Sequence, residues 1–130
     1  MHKQLPNFFI FVDHYKDLVF KKNTNIGLIY RNYKDTNREN NLIKIAKECK
    51  KNRWQLFISN DIKLTHKFKA DGIYIPSFSK TKKFANLERK NLTILGSAHN
   101  YKEIHNKIMQ NCNAIFLSPI FNIKKAHNFL

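Results

Sequence analysis

The sequence predicts a parallel α/β fold, and three observations carry that expectation. Short β-branched and aromatic runs recur along the chain, stretches with helical spacing separate them, and polar residues gather where the apolar runs stop. The stretch from Ile94 to Phe121, ILGSAHNYKEIHNKIMQNCNAIFLSPIF, shows the repeating unit most fully. LTIL supplies a strand of the kind buried on both faces. GSAHN reads as the turn after it, and Asn100 caps a helix with Glu103 three residues on. Ile104, Ile108 and Met109 recur at helical spacing and are expected to face the sheet. Ala114 to Leu117 forms the next strand, which Ser118-Pro119 stops.

The other elements follow from the N-terminus. Phe8 to Val12 (FFIFV) reads as a buried strand, and Lys16 to Asn25 has room for two helical turns. Ile26 to Tyr30 is a second strand, ended by Arg31-Asn32-Tyr33. Thr36 with Glu39 reads as a capping box for a helix from Asn37 to about Asn52, with Leu42, Ile45, Ala46 and Cys49 as its apolar stripe. Gln55 to Ser59 is a third strand that delivers Asn60 and Asp61 at its end. Asp61 is placed to cap a brief helix carrying Leu64 and Phe68. Gly72 to Ile75 is the fourth strand, and a basic helix is expected from about Lys80 to Glu88. Six strands alternating with helices imply a parallel sheet, either open and doubly wound or part of a (β/α)8 barrel. The pattern alone leaves both architectures open.

Totals bound the function. At 130 residues the chain is long enough for one domain with a real core. Hydrophobic residues make up 42%, which argues against disorder despite the charge. No apolar run reaches the roughly 20 residues that span a bilayer, and Phe8 to Val12 is too short for a signal-peptide core. Cys49 and Cys112 form no CxxC pair and fall in predicted helical segments, so both read as reduced thiols of a cytoplasmic protein. The net charge of +15 raises nucleic-acid binding as a reading, but the basic residues are scattered over every predicted helix and loop. Nucleic-acid binding is therefore not expected, whereas attraction of phosphorylated small molecules is.

In both parallel architectures, sites form beyond the C-terminal ends of the strands. Those ends carry Arg31, Asn60, Asp61, Ser77, Ser97, His99 and Ser118. An arginine, an aspartate and a histidine at one mouth can bind an anion, hold a cation and move a proton. Each also has a purely structural reading. Asp61 is a good helix cap, Arg31 can pair with a loop carboxylate, and a lone histidine such as His99 can serve only as a hydrogen-bonded structural residue. His14, His66 and His105 show no metal-ligand spacing and read as surface residues. Trp54 and the tyrosines and phenylalanines lie mostly in or beside strands, which favours core over base stacking.

LFISND, then ADGIYIP, then ILGSAHN, then NAIFLSPIF, in this order and spacing, resembles the thiamine-phosphate synthase/TenI family, whose members read approximately IINDxxDLA, ADGVHLGQxD, IGxSxH and GADYxxxGPxF. The resemblance covers about Ile26 to the end. IYRNY and SPIF…AH look closest to a divergent branch with YRHF and SPVF…SHPG. It implies a (β/α) TIM-barrel type fold, incomplete, with about six parallel strands and the last two βα units missing, so that residues 1–130 form a single C-terminally truncated barrel domain.

The family's synthases couple a hydroxymethylpyrimidine diphosphate to a thiazole phosphate with Mg²⁺ assistance, and leaving pyrophosphate needs cationic neutralisation. By position, the resemblance places Arg31 on the diphosphate, Asn60 and Asp61 on the ND pair with Asp61 as the Mg²⁺ ligand, Ser97 on the catalytic-turn serine, and His99 on the histidine that TenI-type thiazole tautomerases use for proton transfer. Lys124 and Lys125 fall on the phosphate-binding TxTK segment, which here reads Ile123-Lys124-Lys125-Ala126. The second metal-binding aspartate falls on Ser79, a poor Mg²⁺ ligand. Ile29 and Tyr33 stand where the family has a pyrimidine-contacting glutamine and a lysine.

The implied function is thus synthase-like. A His99-dependent thiazole tautomerase is the nearest alternative, and a non-catalytic remnant that binds a phosphorylated ligand or nucleic acid is the alternative of another class. An incomplete barrel leaves sheet edges unpaired, so self-association is expected.

Overall fold

Near-continuous apolar runs, buried on both faces, set the sheet. A computed structural model of the chain describes residues 4–18, 25–32, 34–87 and 91–118. Six strands, β1 (Phe8–Val12), β2 (Ile26–Tyr30), β3 (Gln55–Ser59), β4 (Gly72–Ile75), β5 (Thr93–Ala98) and β6 (Ala114–Leu117), form one sheet in sequence order. Every neighbouring pair is parallel, with Val12 beside Tyr30, Tyr30 beside Ile58, Ser59 beside Tyr74, Tyr74 beside Leu95 and Ser97 beside Phe116. Sequence-order parallel strands joined through α1 (Arg38–Asn52), α2 (Ile62–Lys67) and α3 (Tyr101–Met109) give an incomplete (β/α) barrel, curled rather than closed.

The two faces have separate cores. On the outer face, Val12, Leu28, Tyr30, Leu56 and Ile58 pack against Leu42, Ile45 and Cys49 of α1, while Ile73, Ile75 and Ile94 pack with Phe84 and Leu87. On the concave face, Ile29, Phe57, Tyr74 and Leu95 are joined by Phe9, Phe11 and Phe116. The curl is tight enough for rings of the first and last strands to meet. Phe9 lies 5.0 Å and Phe11 5.8 Å from Phe116, both edge-to-face. Gly27 makes room for this filling, since a Cβ there would stand 2.8 Å from the Phe9 ring.

Several local expectations are corrected by the structure. β5 runs to Ala98 instead of ending at Leu95, because Gly96 pairs with both β4 and β6 and Ser97 and Ala98 pair with β6, so the turn shrinks to His99-Asn100. The cap of α1 is Asn37, which makes no side-chain cap bond, and Thr36 with Glu39 forms no capping box. Asp35 orders this entry instead, accepting from the Asn37 amide at 2.8 Å and from Asn41 at 2.7 Å. Residues 80–87, the described part of the expected basic helix, form no α-helix, and residues 83–86 are turn. After β1 the described chain makes a 3-10 turn, Tyr15–Asp17, capped by His14, and residues 19–24 of the expected helical turns lie outside the described residues. Cys112 lies beyond the end of α3, while Cys49 is within α1, and both are free thiols.

The largest correction concerns α3. Ile108 and Met109 are 58% and 47% exposed, while Lys107 and Gln110 are buried. Carbonyls of the loop after β4 decide that face. Lys107 Nζ donates to Ser79 O at 2.9 Å and Ser77 O at 3.5 Å, and Gln110 Nε2 donates to Ser79 O at 3.0 Å and Thr81 O at 2.8 Å. Burial lowers the Lys107 pKa from its ordinary value. The lysine stem lies on Gly96, where a Cβ would come within 2.6 Å of Lys107 Cδ. Lys107 thus behaves as a buried donor on an aliphatic stem.

Among the described residues, no helix is long and apolar enough to cross a membrane. Phe57 is fully buried on the concave face. Phe57→Ala is expected to lower unfolding stability by about 3–5 kcal/mol in urea denaturation. A loss below about 1 kcal/mol would show that the concave filling contributes little.

Candidate functional site

The parallel topology brings the C-terminal ends of all six strands to one edge. Tyr74 links the residues gathered there. Its hydroxyl lies 2.5 Å from Ser97 Oγ, with either group able to donate. Its ring meets Phe11 edge-on at 5.4 Å, and the Arg31 guanidinium sits 5.0 Å from the centre of the same Phe11 ring. Its carbonyl accepts the Asn60 amide at 2.8 Å. One run of contacts therefore joins Arg31 just after β2, Phe11 on β1, Tyr74 on β4 and Ser97 on β5. Tyr74 was not singled out from the sequence. The alternation of GIYI beside ILGSA is the signal that places Tyr74 and Ser97 on one face.

Arg31 is held by Asp13. Its Nε and Nη2 lie 3.4 and 3.3 Å from the two carboxylate oxygens, and both side chains are about half exposed (47% and 51%). Such a pair is loosely held and its cation is open to a competing anion. Asp13, Arg31, Asn32 and Lys34 line an open cleft of about 390 Å³.

Asn60 takes a left-handed conformation (φ 53°), which asparagine tolerates, and this turns the chain from β3 into α2. Its Oδ1 is buried without a hydrogen-bond partner among the described residues, an acceptor left for a ligand's donor. Asp61 caps α2 as expected, accepting the Leu64 amide on Oδ1 at 3.0 Å. Its Oδ2 faces Arg38 Nη1 at 3.4 Å. Arg38, the first residue of α1, also donates from Nη2 to Ser59 O at 2.8 Å and lies 5.3 Å from the centre of the Tyr30 ring. Burial lowers its pKa, and Asp61 opposes that shift. No sequence signal marks Arg38, since it precedes the helix's apolar stripe and the Asp61 pairing spans 23 positions.

Mg²⁺ requires an octahedron of hard oxygen ligands. Both Asp61 oxygens already have partners, Ser79 supplies no carboxylate, and the Ser79 carbonyl accepts from Lys107 and Gln110. No group of three or more His, Cys, Asp or Glu residues that could hold a metal occurs among the described residues. This donor set does not fit the ion.

His99 follows β5, and Glu103 fixes it. One carboxylate oxygen accepts the His99 backbone amide at 2.7 Å and meets His99 Nδ1 at 3.0 Å. Asn100 caps α3 by accepting the Glu103 amide at 2.9 Å. The reciprocal bond from Glu103 reaches His99 rather than the cap residue itself, so the capping geometry also holds the imidazole. With the carboxylate accepting at Nδ1, the neutral ring keeps its basic lone pair on Nε2. His99, Tyr101, Ile104, Leu117 and Ser118 border a shallow cavity of about 270 Å³. Lys124, Lys125 and Tyr33 lie outside the described residues.

Three comparisons bear on this arrangement. The family model described as thiamine monophosphate synthase (TMP-TENI) matches residues 22–127. Among solved structures, the chain is similar to a thiamine phosphate pyrophosphorylase from Pyrococcus furiosus, with a TM-score of 0.65 and 14% identity. That similarity covers 92% of this chain and 63% of the other, so this chain spans under two thirds of that protein's length. A comparison with curated protein sequences gives no significant match.

The hydrogen bonds from His99, its backbone amide first, hold the Glu103 carboxyl below its ordinary value of 4.5. A depressed carboxylate stabilises the fold fully above its unfolded pKa, and that contribution disappears as pH falls through the lower folded value. Acid unfolding followed by circular dichroism should therefore show part of the stability lost below about pH 4.5, and Glu103→Gln should flatten that part. An unchanged acid profile in the variant would contradict the assigned contact.

Proposed function

The chain belongs to the thiamine monophosphate synthase family, and from that premise we propose that it acts on the phosphorylated thiazole of thiamine biosynthesis, with His99 moving a proton. The observation that carries this reading is the Glu103 carboxylate at His99 Nδ1, which leaves Nε2 as the base beside a cavity at the strand ends. An imidazole held in one tautomer near neutral pH suits removal of a proton from one ring position and its return to another. Such an isomerisation needs neither a leaving group nor a metal. Ser97, two residues before His99, pairs with the Tyr74 hydroxyl on the concave face and does not line that cavity. Asn60 offers its unpartnered Oδ1, and Arg31, together with Lys124 and Lys125 through the family resemblance, supplies cationic charge for the phosphate.

A second reading is favoured by the family description and by Arg31. It is the coupling of a hydroxymethylpyrimidine diphosphate to the thiazole phosphate, in which Arg31 would leave Asp13 to neutralise the diphosphate. In that reaction a bound Mg²⁺ would stabilise the leaving pyrophosphate. The donors around Asp61 do not fit that ion.

The two readings separate by mutation. If His99 is the base, His99→Asn should lower thiazole isomerisation by about 10²–10⁴-fold, while Arg31→Ala should act mainly on KM. If coupling is the reaction, thiamine phosphate should form from the two precursors and Arg31→Ala should abolish it. Isomerisation at the wild-type rate in His99→Asn would overturn the first reading.

A further inference from the structure

We propose that Arg38 is the resident cation of this site: its guanidinium takes the position beside Asp61 that a divalent ion would need, so the strand-end mouth receives phosphorylated ligands without a metal. The inference rests on the geometry around Asp61 and not on which thiazole reaction the chain performs.

Three contacts hold Arg38 in place. It faces Asp61 Oδ2 through Nη1, donates to Ser59 O through Nη2, and lies over the Tyr30 ring. Its side chain is 11% exposed and that of Asp61 31%, so the pair is substantially withdrawn from water and weakly screened. A guanidinium keeps its charge even when buried. It cannot dissociate as an ion can, and α1 delivers it from its first position. The other Asp61 oxygen is committed to the Leu64 amide. A divalent ion would have to displace the guanidinium and leave it buried beside a second positive charge, which is strongly unfavourable.

The β4 side closes the same route. The loop that would bring a second ligand carries Ser79, and its carbonyl is held by Lys107 and Gln110 from α3. The Arg38 Nε–H is buried with no partner among the described residues. The charge available to an anion at this mouth is therefore built into the chain.

Two measurements on the whole chain test this. In a Mn²⁺ titration followed by electron paramagnetic resonance, the wild-type protein should leave the free-ion signal undiminished at millimolar Mn²⁺. Thiamine phosphate binding by calorimetry should have the same Kd in EDTA and in Mg²⁺. Asp61→Asn keeps a good helix cap and should bind thiamine phosphate equally or more tightly, because the guanidinium loses its competing carboxylate. Arg38→Lys should retain most of the affinity, while Arg38→Met should weaken it about tenfold or more. Circular dichroism should confirm that each variant folds, and if Arg38→Met does not, the wild-type and Asp61→Asn arms decide. Mn²⁺ bound by the wild type and released in Asp61→Asn would overturn the proposal. Loss of affinity in EDTA, or absence of thiamine phosphate binding in either buffer, would do the same.

Discussion

Tyr74 is the contact on which the rest of the arrangement depends. One ring joins the filling of the concave face to the chemistry at its mouth. Its edge meets Phe11, its hydroxyl meets Ser97, and its carbonyl receives Asn60 as the chain leaves β3. Phe11 in turn packs against Phe116 of the last strand and beneath Arg31. Rings of the first and last strands meet across the concavity, so burying them favours the curl that brings the strand ends together. Site geometry and core packing are therefore coupled: an altered ring at position 74 disturbs both.

The electrostatics at the mouth are arranged with similar economy. A chain of net charge +15 has a general attraction for anions, but the strand-end groups give it a location. Asp13 holds Arg31 loosely at the surface, whereas Asp61 and Arg38 hold each other in a more enclosed place. The exposed pair exchanges partners readily, and the enclosed one keeps its cation in place. At the β5 end, Glu103 uses one oxygen for both the backbone and the ring of His99. A single local motif therefore starts α3 and fixes a tautomer.

Much of this was legible in the sequence, and what was not has physical causes. All six strands stood out because each is a short apolar run with a polar stop, although β5 had to be extended through Gly96-Ser97-Ala98. Those small residues look like a turn in isolation. They are strand because β4 and β6 supply partners and because α3 approaches Gly96 closely. The helical period correctly marked α3 but misjudged its buried face, since loop carbonyls 28 and 31 positions away demand donors from Lys107 and Gln110. Asp61 and Asn100 were readable as caps because capping is local. The Arg38–Asp61 pair was not readable, because it depends on how α1 lies on the sheet. The family motifs pointed to the fold that the family match and the structural similarity support. They could not reveal that a guanidinium stands beside the aspartate.

The central claim is that these strands form a cooperative fold with a ligand-competent mouth. The most direct test is thermal melting of the chain alone and with thiamine phosphate in EDTA. Ligand at about 100 times its Kd should add roughly 2.7 kcal/mol, which raises the midpoint by several degrees. A single cooperative transition that rises with thiamine phosphate is the predicted result. A melt without a cooperative transition, or one indifferent to the ligand, would contradict the account.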